Sequence, residues 1–182
     1  MKLVLASASP RRREILTLLG IDYTVCPANS EAPVDESLPT EEAIVQVARG
    51  KAEEVAAQYP DEVVLGADTA VVIDDTILGK PATADEAKAM LRRLSGRTHR
   101  VITGVWVCGK GFNRGFADAA EVTFYPMTDE DIESYVASGE PMDKAGAYAV
   151  QGHGARYIRG LNGDFYTVMG LPGGRLYRFL CE

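Results

Sequence analysis

Apolar and polar positions along this chain switch repeatedly between a short, strand-like pattern and a helical one. Lys2 to Ala6 is a nearly continuous apolar run, the signature of a buried strand. Pro10 suits the first turn of a helix, where its missing N–H is harmless. Ile15, Leu16, Leu18 and Leu19 give that helix an apolar face, and Gly20 gives it a stop. Tyr23 to Pro27 predicts a second strand, and the mainly polar stretch from Asn29 to Pro39 predicts a loop. Thr40 can cap a helix with Glu41 and Glu42 in its first turn and a stripe through Ile44, Ala48 and Val55. Val63 to Ala67 reads as a buried strand that ends at Asp68.

The second half follows the same logic. Ala70 to Ile73 and Thr76 to Leu78 flank Asp74-Asp75, a tight hairpin. Thr83 with Glu86 three residues on is a capping box for a helix ending near Ser95-Gly96. Val101 to Cys108 and Ala117 to Tyr125 read as long strands joined through Gly109-Lys110-Gly111. Thr128, followed by Asp129, Glu130 and Asp131, starts a helix that Gly139 stops. Asn162-Gly163, between Tyr157-Ile158 and Phe165-Tyr166, is the strongest hairpin signal in the chain. A short helix follows Pro172, and Trp106 and the tyrosines are assigned to the core. The sum is a mixed α/β protein with a substantial antiparallel component, no internal repeat and no low-complexity linker.

Composition narrows the function. With 182 residues, 46% of them hydrophobic, the chain can build a real core. Lys and Arg total 19 against 26 Asp and Glu, a net charge of -7. An acidic chain of this kind is expected to bind neither nucleic acid nor a membrane surface, although a local cluster of cations can still hold a small anion. No run of about eighteen apolar residues offers a membrane span. The first apolar run precedes Pro10-Arg11-Arg12-Arg13, the reverse of a secretory signal. Cys26, Cys108 and Cys181 are odd in number and lack metal-ligand spacing, which predicts free thiols in a reducing, cytoplasmic compartment.

Four places carry candidate chemistry. In Ser7-Ala8-Ser9-Pro10-Arg11-Arg12 a strand runs through small residues into a helix start. Free N–H groups, two hydroxyls and two guanidinium groups there suit phosphate, and a solvated helix start with a capping serine is the plain alternative. In Gly66-Ala67-Asp68-Thr69 a carboxylate at the end of a buried strand can act as a general base or hold a divalent cation, or simply lead into a turn. Lys51 shares a helix face with Ile44, Ala48 and Val55, so it must either snorkel or meet an anion. Lys80, after the hairpin, can bind phosphate or lie on the surface. In Asp143 to Gly152 small residues permit close backbone approach, and the Gln151 amide matches the N3–H and carbonyl edge of uracil or thymine; a tight structural crossing is the alternative. His99 and His153 have no partner at zinc-ligand spacing, and no Ser–His–Asp set is apparent.

Taken together, these segments resemble the Maf family of nucleoside triphosphate pyrophosphatases, also labelled septum-formation inhibitors. The resemblance runs from Leu5 to Pro172. It rests on Ala6-Ser7-Ala8-Ser9-Pro10-Arg11-Arg12, Lys51, Gly66-Ala67-Asp68-Thr69, Gly79-Lys80-Pro81, Leu94-Ser95-Gly96, Asp143-Lys144-Ala145-Gly146 and Met169-Gly170-Leu171-Pro172. It implies one domain over residues 1–182, an α/β fold with a mixed twisted sheet, flanking helices and two lobes around a nucleotide-binding cleft. It further implies a divalent metal, Mg²⁺ or Mn²⁺, and hydrolysis between the α- and β-phosphates. By resemblance Asp68 is the catalytic proton acceptor and a metal ligand, and Arg11, Thr69 and Gln151 bear on base choice. Ser7, Ser9, Arg12, Lys51 and Lys80 would bind the triphosphate. Glu31 is the counterpart of an acidic metal-binding position. The form Ala145 to Gly152 is similar to the dTTP/UTP subgroup, whereas a 7-methyl-GTP subgroup differs at Tyr148 and Gln151. The resemblance also implies a possible homodimer, and it leaves two alternatives: a 7-methyl-GTP pyrophosphatase, or a nucleotide-regulated protein that arrests septum formation by binding.

Overall fold

A computed structural model describes residues 2–29 and 33–181. The strands are β1 (Leu3–Leu5), β2 (Tyr23–Val25), β3 (Val63–Ile73), β4 (Thr76–Leu78), β5 (Thr98–Gly109), β6 (Phe112–Phe124) and β7 (Ile158–Asn162). The helices are α1 (Pro10–Leu18), α2 (Thr40–Ala56), α3 (Ala84–Leu94), α4 (Asp129–Ala137), α5 (Phe165–Met169) and α6 (Gly173–Cys181). Short 3₁₀ turns occupy Glu140–Asp143, Ala145–Ala147 and His153–Tyr157. The strand order is β2-β1-β3-β5-β6-β7, with β4 paired to β3. β1 pairs in parallel with β2 and β3, while β3–β4 and β6–β7 are antiparallel. The expected mixed α/β sheet with flanking helices is present. Among the described residues no helix is long and apolar enough to cross a membrane.

The chain divides into two compact units. The first comprises residues 1–69, 103–118 and 170–182, and the second residues 70–102 and 119–169. In the first unit, Val4, Ala6, Ala52, Val55, Val64 and Cys108 form a buried cluster. The register Leu3↔Val63 to Leu5↔Leu65 aligns β1 with the first part of β3. A Cβ at Gly66 would collide with the Ala48 carbonyl oxygen and lie 2.9 Å from the Ala52 nitrogen. One at Gly104, on β5, would lie 2.7 Å from the backbone of Ile44 and Val45. Helix α2 is therefore seated against two adjacent strands at positions that only glycine can occupy. In the second unit, α3 and α4 pack together. His99, Phe124 and Tyr148 form a buried triangle of edge-to-face rings there, with centroids 4.9 to 5.3 Å apart.

Several sequence expectations need correction. The strand predicted to end at Asp68 continues through it to Ile73, because Asp68 and Thr69 find polar partners and need not break the ladder. Asn162-Gly163 forms no hairpin: Asn162 ends β7 on β6, and Gly163, at φ +120°, packs its backbone against Ala120. Asp164 then accepts from the Tyr166 N–H at 3.0 Å and opens α5, so a helix stands where a strand was expected. Thr40 is the first residue of α2 rather than its cap, a place taken by Pro39 without a side-chain bond. Leu18 is 64% exposed, so the apolar face of α1 narrows to Ile15 and Leu16. Tyr125 and Tyr177 are also exposed, against their assignment to the core. The predicted hairpin at Asp74-Asp75 is present, with both residues at positive φ and Ile73 paired to Thr76.

Candidate active site

The last parallel pair between β1 and β3 is Leu5↔Leu65, followed by the Ala6 N–H donating to the Leu65 carbonyl at 2.8 Å. Beyond that point β1 turns through Ser7 into α1, while β3 carries Asp68 and Thr69 onward. Side chains from both segments therefore meet just outside the carboxyl end of β1, where open α/β sheets gather ligands. Proline occupies the first helical position of α1, its cap residue Ser9 makes no side-chain capping bond, and its first turn holds no acid. That end of the helix keeps its N–H groups and its positive pole available.

Arg12 is the organising cation. Its Nε–H donates to the Gly170 carbonyl at 2.8 Å, one NH1 hydrogen to Ser7 Oγ at 2.9 Å and one NH2 hydrogen to Thr69 Oγ1 at 3.3 Å. Thr69 Oγ1 in turn lies 2.9 Å from Thr103 Oγ1 on β5, and Ser7 Oγ also accepts from the Ser9 N–H at 3.2 Å. All three Arg12 acceptors are neutral. Guanidinium has five N–H donors, so among the described residues two remain for an anion. Burial lowers the Arg12 pKa, opposed by the charge of nearby Asp68 and assisted by that of Arg11. The group stays cationic because its ordinary value is so high.

Lys51 and Asp68 form the second element. The Lys51 ammonium donates to Asp68 Oδ1 at 2.5 Å, with both side chains mostly shielded. The inward-facing lysine thus meets an anion rather than snorkelling, because the glycine contact at Gly66 lets α2 approach β3 closely enough. The first unit brings together Ser7, Arg12, Lys51, Asp68 and Thr69. Ser9 and Arg11 lie beside them at the start of α1. Glu31 falls outside the described residues.

Lys80 and Gln151 belong to the second unit, where both are exposed. The turn before Lys80 is tied to the segment leading to Gln151 by the Gly146 N–H, which donates to the Gly79 carbonyl at 3.1 Å. Tyr148 is buried rather than exposed like Gln151. It is 5% exposed, its hydroxyl lies 2.8 Å from His99 Nε2, and burial pushes its pKa upward. Sequence reasoning missed Thr103 and the Gly170 carbonyl as supports of Arg12. A lone threonine within the apolar run Val101 to Cys108 was the available signal for the first. It also missed Tyr135 and Glu140, which hold the backbone around Gln151.

Comparisons with known proteins find likenesses along the whole chain. A family model described as Maf-like protein matches residues 2–182. The dTTP/UTP pyrophosphatase of Bacillus velezensis is 48% identical over 181 residues, covering 100% of this chain and 96% of its own. The dTTP/UTP pyrophosphatase of Halalkalibacterium halodurans is 46% identical over 178 residues, covering 98% and 94%. The solved structure of the Staphylococcus aureus Ham1 protein aligns with a TM-score of 0.52 over 99% of this chain and 98% of its own, at 15% identity, a likeness of fold alone.

Proposed function

This chain belongs to the Maf family, and from that premise we propose that it hydrolyses dTTP and UTP to the nucleoside monophosphate and pyrophosphate. The observation that carries the phosphate chemistry is Arg12, a shielded cation fixed by three neutral acceptors with N–H groups to spare, beside the carboxylate of Asp68. Arg12 and Arg11, the start of α1 and the ammonium groups of Lys51 and Lys80 neutralise the triphosphate. Ser7 and Ser9 add hydroxyl contacts. Asp68 accepts a proton from water as its oxygen attacks the α-phosphorus. The bond from that phosphorus to the bridging oxygen breaks, and pyrophosphate leaves with the electron pair. Charge grows on the leaving group, where fixed cations lower the barrier most.

A divalent cation, Mg²⁺ or Mn²⁺, is part of the proposal. Among the described residues no three His, Cys, Asp or Glu side chains gather as a metal-binding group. Asp68 would be one protein ligand and Glu31, which lies outside the described residues, the other, since Mg²⁺ is commonly held by one or two carboxylates with substrate phosphates and waters completing the shell. When bound, the ion would supply further charge neutralisation on the phosphates. Base choice falls to Gln151, whose amide offers both a donor and an acceptor to the pyrimidine edge, with Arg11 and Thr69 contributing.

The test is pyrophosphate release with Mg²⁺ or Mn²⁺ from UTP, dTTP, CTP, GTP and 7-methyl-GTP, with Asp68→Asn as control. Turnover of UTP and dTTP that depends on Asp68 supports the reading. Turnover of 7-methyl-GTP alone would retain the chemistry and refute the pyrimidine assignment. No turnover with either metal would refute the enzyme.

A further inference from the structure

We propose that Tyr135 and Glu140 are positioning residues that hold the Gln151 loop in the geometry by which it selects a pyrimidine, an inference that rests on Gln151 reading the base. Gln151 is exposed and is followed by glycine. A side chain on a loose loop must be ordered anew at each binding event, which weakens both affinity and discrimination. This loop is not loose. On its N-terminal side the Ala149 N–H donates to the Tyr135 hydroxyl oxygen at 3.0 Å. On its C-terminal side the N–H groups of His153 and Gly154 donate to the two oxygens of Glu140, at 2.9 and 3.0 Å. The Tyr135 O–H itself donates to Glu140 Oε2 at 2.6 Å. The two anchors are therefore one network, closed across the base of the turn that presents Gln151.

The network is built for charge-assisted bonds, which are roughly twice as strong as neutral ones. Burial opposes ionisation of Glu140, yet the Tyr135 hydroxyl and the two backbone N–H groups hold its carboxyl below the usual range. Burial, with the Glu140 contact, pushes the Tyr135 hydroxyl pKa well upward, so it remains a donor. The carboxylate lies directly against the loop, and a Cβ at Gly152 would collide with it. Tyr135 comes from α4 and Glu140 from the turn that follows, so the loop takes its position from a packed helix.

The experiment measures kcat and KM for UTP and CTP in Tyr135→Phe, Glu140→Gln, Gln151→Ala and the Tyr135→Phe/Gln151→Ala double variant. Amide hydrogen exchange across residues 149–154 is followed in the two anchor variants. Taking the UTP-to-CTP ratio of kcat/KM on one preparation cancels any loss of folded protein. Gln151→Ala should lower that ratio about tenfold or more, and each anchor variant several-fold, through KM for UTP with kcat within about twofold. Exchange at Ala149, His153 and Gly154 should quicken about tenfold or more. The double variant should discriminate no worse than Gln151→Ala. A merely structural role would lower activity on both substrates alike. If Gln151→Ala lowers the ratio and neither anchor variant does, or exchange is unchanged, the positioning role is overturned and the Gln151 reading stands. If Gln151→Ala keeps the full preference, the reading beneath it fails and the inference fails with it.

Discussion

Lys51 Nζ lies 2.5 Å from Asp68 Oδ1, an ion pair joining a helix to the strand beneath it. The pair exists because β3 offers glycine at position 66, directly under Ala48 and Ala52 of α2. A packing feature thus sets the position of the proposed catalytic carboxylate. Removing the ammonium leaves Asp68 without its fixed partner. Lys51→Met is expected to lower kcat/KM for UTP by about a hundredfold, near 3 kcal/mol of barrier. Because Lys51 is also proposed to meet the triphosphate, adding Lys51→Met to Asp68→Asn should lower kcat/KM further. No further loss in steady-state assays would mean that the ammonium acts only through Asp68.

Gly66→Ala tests the seat itself. The added methyl must push α2 from β3, and overpacking of this kind costs about 1–3 kcal/mol. The melting temperature should fall by several degrees, since about 1 kcal/mol corresponds to roughly 2–4 °C at this size. Activity should fall beyond what the loss of folded protein explains, because the Lys51–Asp68 distance opens. A variant with wild-type melting and turnover would show that helix and strand have slack at this point.

Arg12→Lys should not behave as a conservative change. An ammonium cannot reach the Gly170 carbonyl, Ser7 Oγ and Thr69 Oγ1 from one planar fork. Buried acceptors left unpaired cost about 1–3 kcal/mol. The expected outcome is lower thermal stability together with a loss in kcat/KM for UTP of at least about tenfold. Retained turnover with lysine would mean that charge alone, without the fork, suffices.

Below neutral pH, His99 should make stability pH-dependent. Burial lowers its pKa from 6.5 to about 4, so the folded protein holds it neutral while the unfolded chain protonates it more readily. Its contribution is present in full above about pH 6.5 and is lost as pH falls toward 4, a total of about 3 kcal/mol. Chemical denaturation at a series of pH values should show a shallower fall over that window in His99→Gln than in wild type. Parallel curves would mean that some other group carries the acid sensitivity.

Tyr148→Phe separates packing from selectivity. Its hydroxyl meets His99 in the buried aromatic triangle, so the loss should appear as about 1 kcal/mol of stability. The UTP-to-CTP ratio should stay unchanged. A shift in that ratio comparable to that of Gln151→Ala would place Tyr148 in base choice after all.

What the sequence determined by itself was local. Helix caps at Thr83 and Thr128, the turn at Asp74-Asp75 and the buried run Val63 to Ala67 are decided by residues within a few positions of one another, and the structure agrees with each. The composition of the proposed phosphate-binding segment was legible for the same reason, since serines, arginines and a helix start lie adjacent in the chain. The tertiary structure decided the rest. Asn162-Gly163 carries a strong hairpin preference that lost to pairing of β7 with β6 and to the close contact of Gly163 with Ala120. Asp68 became a position within a strand because Lys51, seventeen residues earlier, satisfies its charge. Arg12 owes its orientation to Gly170, separated from it by 158 residues. Local preference is worth a fraction of a kcal/mol per residue, whereas an unpaired buried polar group costs several times more. Contacts between distant residues therefore settle the places where the chemistry sits.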